Sequence, residues 1–374
     1  MSTAPPISLA SPMANSAGEP SQREVLLIAG LVCLTFVATV SRLTNYPGLV
    51  ANFGDSPGYI YIGAAIQHWD FHGLMVKHFW GLPYAMAAVS RLTGVSELTS
   101  LLLVSATSFF ASTALAYRLW GGWVAGLFAV LNFDWMQRSF LGGSEPLFVA
   151  LLFGAFLAVR HERWSLAALL AALSTTVRPL AFFALLGIGL ILLRRREYQK
   201  AALATLVGLV IGILYALPLW KYFGDPLATV HSYQDATSRG PALFGFPFYA
   251  IIKGTLLYPA PWTSLVLSFG WMVFVLLGVA AMLTRPAREY VRRCPVEVFF
   301  AAFYTLAIFS YNAPYWARGT FPRFAIPIIP LAIAALLPWV PKSRALLWIL
   351  AVTAPVLAAA SAIGLKNVVQ MIRV

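Results

Sequence analysis

Residues 25–40 read Val25-Leu26-Leu27-Ile28-Ala29-Gly30-Leu31-Val32-Cys33-Leu34-Thr35-Phe36-Val37-Ala38-Thr39-Val40, without one charged side chain. The run is slightly long for the apolar centre of a signal peptide. Ser41 and Arg42 follow it, with no small-x-small cleavage site at its end. It therefore predicts an uncleaved first membrane span. Ahead of it, residues 1–22 are rich in Ser, Pro and Ala and predict a disordered cytoplasmic tail.

Composition carries the same message outward from this run. Of 374 residues, 60% are hydrophobic and only 10% charged. A soluble domain carries about 25% charged residues. In water a chain of mean hydropathy +0.78 would expose far too much apolar surface. A hydrocarbon core of roughly 30 Å needs about 20 apolar residues per helix, and such runs recur to the end of the sequence. The expected fold is all-α, a polytopic transmembrane helical bundle in one domain over residues 23–374.

The net charge of +13 does not point to nucleic acid. Lys and Arg lie in short clusters between apolar runs, the positive-inside pattern of a membrane protein, and not on one basic face. Cys33 and Cys294 are far apart and suggest neither a disulfide framework nor a metal set.

The basic clusters predict the topology. Arg194-Arg195-Arg196 with Lys200, then Arg285 to Arg293, then Lys342 with Arg344 mark the cytoplasmic side. Spans are expected near 24–44, 98–117, 122–138, 145–160, 164–177 and 180–193. Others are expected near 201–220, 264–284, 296–312, 321–338 and 345–364. Segment 82–93 is too short to cross and carries Arg91, so it reads as an interfacial helix. About eleven crossings result. Residues 45–97 then form a long first extracytoplasmic loop with short interfacial helices, and 221–263 a second.

Only 13 Asp and Glu residues are present, so each can be weighed. Glu19, Glu24, Glu162, Glu197, Glu289 and Glu297 fall on the cytoplasmic side and read as solvated loop charge. Asp55, in Asn52-Phe53-Gly54-Asp55-Ser56-Pro57-Gly58-Tyr59, precedes a short amphipathic helix. It reads either as a helix cap or as a general base at the membrane surface. Glu145, before Pro146, reads as a cap or as a functional acid at the membrane edge. Arg178, in Thr176-Val177-Arg178-Pro179, either snorkels or meets a lipid phosphate with its forked guanidinium. Arg318 and Arg323 supply further cations on the outer face, and Tyr59 and Arg91 lie on the outer segment beside Asp55. His68, Asp70, His72 and His78 are close in sequence, but Gly73 breaks the segment and no ligand set emerges. Trp and Tyr near span ends read as interfacial anchors.

Taken in order, several stretches resemble a known family. They are Gly54-Asp55-Ser56-Pro57-Gly58-Tyr59, Phe79-Trp80-Gly81-Leu82-Pro83-Tyr84 and Ser144-Glu145-Pro146-Leu147-Phe148. Leu173-Ser174-Thr175-Thr176-Val177-Arg178-Pro179, Tyr222-Phe223-Gly224-Asp225-Pro226-Leu227 and Arg323-Phe324-Ala325-Ile326-Pro327-Ile328-Ile329-Pro330 follow. Over residues 24–340 the chain is similar to the GT-C superfamily of membrane glycosyltransferases. That group includes protein O-mannosyltransferases, mannosyltransferases of GPI-anchor synthesis, and bacterial enzymes that glycosylate lipid A or cell-envelope glycans.

The resemblance implies a polyprenyl-phosphate sugar donor, and a glycan, lipid or protein acceptor, used on the outer face of a bilayer such as the bacterial inner membrane. It implies Asp55 as the catalytic acid of the first outer loop. Tyr59, Arg91, Glu145, Arg178, Arg318 and Arg323 become the expected substrate-binding residues. Several members pair two acids in that loop, whereas Ser56 follows Asp55 here. That departure leaves a divalent cation such as Mg or Mn an open question. The competing expectations are a transporter or flippase, or a non-catalytic subunit of a glycan assembly machine. No internal repeat is evident, and the candidate charges cluster at one surface, which favours an enzyme over a transporter.

Overall fold

The structure is a computed structural model that describes residues 18–71, 74, 76–237, 243–284 and 287–372. Residues 1–17 of the expected tail, His72 and Arg285 lie outside the described residues. Among those described the chain is helical throughout, and the β pairing is an isolated antiparallel bridge between Phe244 and Tyr311.

The first helix, α1 (Gln22–Leu43), starts at a serine cap. Ser21 accepts the Glu24 amide at 3.2 Å, and Glu24 lies in the first turn. The residues just before it are held in place. Glu19 accepts the amide of Gly122 at 2.6 Å, and Arg344 donates to the carbonyls of Gly18 and Glu19. The segment expected to lie outside then forms α2 (Tyr46–Asn52), α3 (Ser56–His68) and α4 (Gly81–Thr93). Next, α5 (Glu97–Trp120) is capped by Ser96, with Glu97 in its first turn and Arg118 in its last, both favourable to the helix dipole.

The central helices are α6 (Gly122–Leu131), α7 (Phe133–Phe140), α8 (Glu145–Arg160), α9 (Trp164–Val177), α10 (Phe182–Arg194) and α11 (Tyr198–Phe223). The second segment expected outside carries α12 (Ala228–Thr237) and α13 (Tyr249–Leu257). The chain closes with α14 (Trp262–Met282), α15 (Arg288–Arg293), α16 (Pro295–Ser310), α17 (Pro314–Gly319), α18 (Phe321–Ala325), α19 (Ile329–Leu336) and α20 (Arg344–Ile372).

Among the described residues, five helices are long and apolar enough to cross a membrane: α1, α5, α11, α14 and α20. A sixth is added if α7 and α8, bent by 104° at their junction, count as one broken crossing. The apolar helices α6, α9 and α16, and α10 with its preceding 3-10 turn, are shorter, at 10–17 residues. Only 11% of the most apolar window of α11 is buried, and Leu206, Leu209, Ile213 and Leu214 stand exposed. Such a face is tolerable in lipid, not in water. The chain is thus an all-helical integral membrane protein.

Two stretches expected as continuous spans are interrupted. The 122–138 stretch breaks at Asn132, whose side chain accepts the Trp135 amide at 2.8 Å and restarts the helix as α7. The 321–338 stretch splits into α18 and α19, in a run carrying Pro322, Pro327 and Pro330. Proline removes the backbone donor an unbroken helix needs.

The core is formed by α5, α8 and α9 packed side by side, with α1 and α20 against one flank. Large rings fill it, among them Phe109, Phe128, Trp135, Phe148 and Phe153, all fully buried. Two polar clusters mark opposite ends of α8. Its 16 residues, at about 1.5 Å each, separate them by about 24 Å. At the end expected inside, Arg160 grips Glu297 with Nε–Oε1 at 2.8 Å and Nη2–Oε2 at 3.0 Å. Tyr290 and Trp120 complete that group. Glu297 is 2% exposed, so it is a buried paired acid and not the solvated loop charge its position suggests. The other end of α8 carries the candidate site.

Candidate active site

The site is built where helices stop. Between α7 and α8 the backbone turns through Gly142, at φ +92, and Gly143. A left-handed φ suits glycine, and a Cβ on Gly143 would lie 2.8 Å from Arg138 Cβ and Cδ. The break strands carbonyls that lipid cannot satisfy. Hydroxyls from other elements meet them. Tyr46 donates to Phe140, Ser56 to Leu141 at 3.1 Å, and Ser105 to Gly143 at 3.3 Å. These contacts fasten the start of α3, and with it Asp55, onto the break.

Arg178 enters from a second break. It precedes Pro179, takes the extended backbone that a pre-proline residue prefers, and ends α9. Arg323 enters from α18. That short helix is tied down by Asn132, which donates to the Pro322 carbonyl at 3.0 Å, and by Tyr304, which donates to the Phe324 carbonyl at 3.0 Å.

Four of the expected residues converge into one ion-pair network. Glu145 is 1% exposed, and its Oε1 accepts from both Arg178 Nη2 and Arg323 Nε. Arg323 reaches on through Nη2 to Oδ2 of Asp55, at 2.7 Å. Ser144 Oγ accepts from Arg178 Nε at 3.2 Å and from the Tyr59 hydroxyl at 3.1 Å. The capping readings of both acids fail. Asp55 stands at the head of α3 and Glu145 opens α8, yet no side-chain capping bond forms at either helix start. Arg178 turns inward to Glu145 instead of snorkelling.

Two residues join that sequence reasoning did not single out for this site. Arg138, on α7, lies beside Gly143 with its guanidinium carbon 4.8 Å above the Phe53 ring. Its Nε and Nη1 are buried without a hydrogen-bond partner, as is Oε2 of Glu145. A cation inside the apolar 122–138 stretch was the available signal. His78 packs its ring 5.1 Å from Tyr59 and against Gly58.

Two expected residues lie elsewhere. Arg91 Nη2 donates to the Gln67 carbonyl at 2.9 Å, at the exposed end of α4. Arg318 is buried and donates to the carbonyls of Gly254 and Tyr258, so it fastens the end of α13.

Burial alone would raise the Asp55 carboxyl. Arg323, then Arg138 and His78, overcome that and hold it well below the ordinary carboxylate range. Burial first, and then the Asp55 charge, push the Tyr59 phenol up to about 12. Burial lowers the His78 imidazole, against the pull of the Asp55 charge.

The guanidinium groups of Arg138, Arg178 and Arg323 thus meet at Asp55 and Glu145, with Asp134 of α7 also within electrostatic reach of Arg138 and Arg323. An anion fits the two buried donor nitrogens that Arg138 leaves unmet. A divalent cation does not, because both carboxylates already face cations. No three of His, Cys, Asp and Glu converge among the described residues. The Asp55 side chain is still 31% exposed, so a partly open carboxylate stands beside an anion-seeking group. That arrangement can accept a proton next to a developing negative charge. Beside it, Phe71 stacks on Tyr222 at 4.3 Å and on Trp80 at 5.6 Å, joining the first outer segment to the end of α11.

No family model, no curated protein and no solved structure matches this chain.

Proposed function

We propose that the chain is a membrane glycosyltransferase of GT-C type. It moves a sugar from a polyprenyl-phosphate donor to an acceptor hydroxyl on the extracytoplasmic face. The observation that carries the reading is the partly open Asp55 carboxylate beside a buried arginine cluster in which Arg138 keeps two donor nitrogens without a partner. A phosphodiester donor carries one negative charge and acceptor oxygens that such donors can meet.

In this reading Asp55 accepts the proton of the acceptor hydroxyl. The hydroxyl oxygen attacks the anomeric carbon as the bond to the phosphate breaks, which inverts the configuration. Arg178 and Arg323 receive the charge that develops on the leaving phosphate. The glycan, lipid or protein acceptor approaches from outside, and the prenyl chain lies among the helices. In this reading the shorter apolar helices also cross, to about eleven crossings, and the basic clusters lie inside with the arginine cluster outside. A bacterial inner membrane is the setting that suits such a donor.

The test is transfer from a panel of labelled polyprenyl-phosphate sugars, comparing membranes that carry the wild type and Asp55→Asn. Loss of a general base costs on the order of 10²–10⁴ in rate. Wild-type transfer by a well-inserted Asp55→Asn protein would sink the assignment. A transporter or an assembly scaffold would tolerate that change.

A further inference from the structure

Arg323 is committed in two directions. Its Nε bonds Glu145 and its Nη2 bonds Asp55, at 2.7 Å. The two partners are not equal. Glu145 is 1% exposed and also holds Arg178, so it cannot leave the cluster. Asp55 is 31% exposed and has no second arginine bonded to it among the described residues, although Gly54, at φ +52, and Ser56 hold its backbone in place. A carboxylate whose oxygen is occupied by a guanidinium is a weak proton acceptor.

We propose that Arg323 is a positioning residue that the donor phosphate takes from Asp55: it restrains the base in the resting site and frees it when the anion binds. The proposal rests on the glycosyl-transfer reading above. The phosphodiester brings an anion that can take the place of Asp55, and Arg323 pivots on its bond to Glu145 to meet it. Oδ2 of Asp55 is released and takes the acceptor proton. The new oxygen–carbon bond forms, the carbon–oxygen bond to phosphate breaks, and its electron pair stays on the phosphate, against Arg323 and Arg178. The acceptor therefore meets a competent base only after the donor is seated, which makes binding ordered, donor first.

The device has an outcome that a simple base does not share. Asp55 competes with the donor phosphate for Arg323, so the inactive Asp55→Asn variant should bind a prenyl phosphate more tightly than the wild type. The experiment measures farnesyl phosphate and inorganic phosphate binding to the full chain in phosphatidylcholine nanodiscs. It uses wild type, Asp55→Asn, Arg323→Gln and the double variant. About tenfold tighter farnesyl phosphate binding is expected in Asp55→Asn, in the range of couplings between contacting residues. In the Arg323→Gln background the same change should have less than about a twofold effect. Inorganic phosphate following the same pattern places the recognition in the phosphate alone; farnesyl phosphate alone following it adds the prenyl chain, and both support the switch.

Unchanged or weaker binding in Asp55→Asn overturns the switch and leaves glycosyl transfer standing. Equal tightening with and without Arg323 also overturns it, because the effect would then be through-space charge. Failure of every form to bind farnesyl phosphate overturns the donor reading and the switch together. Arg323→Lys keeps the charge but loses the fork. If Arg323→Gln does not fold, Arg323→Lys must abolish the coupling in its place.

Discussion

Nη2 of Arg323 stands 2.7 Å from Oδ2 of Asp55, joining the residue before α3 to a five-residue helix near the other end of the chain. That contact gives the candidate base a pH signature. Asp55 also faces Arg138 on α7, His78 from the loop before α4, and Tyr59 on its own helix; Glu145 and Arg178 stand behind Arg323. The carboxyl is depressed from its ordinary value of 3.8. Its contribution to stability is therefore complete above that value and is lost as pH falls through the depressed folded one.

The activity profile should carry the same sign. The acid limb of kcat/KM reports the free protein, where Arg323 holds Asp55, so kcat/KM should stay flat down to about pH 4. The limb of kcat reports the donor complex, where Arg323 has moved, and should lie at higher pH. Profiles measured with labelled donor check this. Two limbs at one and the same pH would refute the difference.

Glu145→Gln should be among the most destabilising single changes at the site. It leaves the guanidinium groups of Arg178 and Arg323 facing a neutral amide in a buried setting. Breaking a buried pair from one side costs about 3–5 kcal/mol. Thermal unfolding in detergent should show this loss, together with weaker phosphate binding as Arg323 loses its pivot. A loss near zero would mean that water already satisfies the two arginines.

Gly143→Ala tests the close approach of the break. The new methyl would meet Arg138 Cβ, which is fixed to its backbone, as well as Arg138 Cδ and Glu145 Oε2, all at 2.8 Å. Relief of such an overlap costs typically about 1–3 kcal/mol, and transfer should fall because both groups line the site. Gly189→Ala in α10, where nothing lies within 4 Å, is the control and should be neutral or slightly stabilising. Equal behaviour of the two variants would argue against a crowded break.

What the sequence made legible follows from the range of each force. Apolar runs are local, so the long helices α1, α5, α11, α14 and α20 could be read directly. Breaks inside apolar stretches were harder, because Asn132 restarts a helix by a side-chain bond that composition does not reveal. Asp55, Glu145, Arg178 and Arg323 stood out as charges beside apolar runs, and they meet. Arg318 carried the same signal and serves a different end, fastening α13 through the Gly254 and Tyr258 carbonyls. Arg138 was passed over inside an apolar stretch, although its place in the cluster depends on a close approach at Gly143 that only the fold brings about. Glu297 looked like loop charge because its partner Arg160 is remote in sequence.

That remote pair gives the last prediction. Arg160 and Glu297 form a two-pronged contact at the C-terminal end of α8, about 24 Å from Glu145. Trp120 donates to Glu297 at 3.2 Å, and Tyr290 donates to it as well. The group ties α5, α8, α15 and α16 together and leaves no open carboxylate, since Glu297 is 2% exposed. Arg160→Met alone strands a buried negative charge and should cost about 3–5 kcal/mol. Arg160→Met with Glu297→Leu removes both charges and should recover much of that loss, because an apolar replacement of a buried pair is often neutral. In both variants, transfer and phosphate affinity per folded molecule should match the wild type. Recovery of stability with altered phosphate affinity would show that the two ends of α8 are coupled, and the cluster around Glu297 would then belong to the function and not only to the fold.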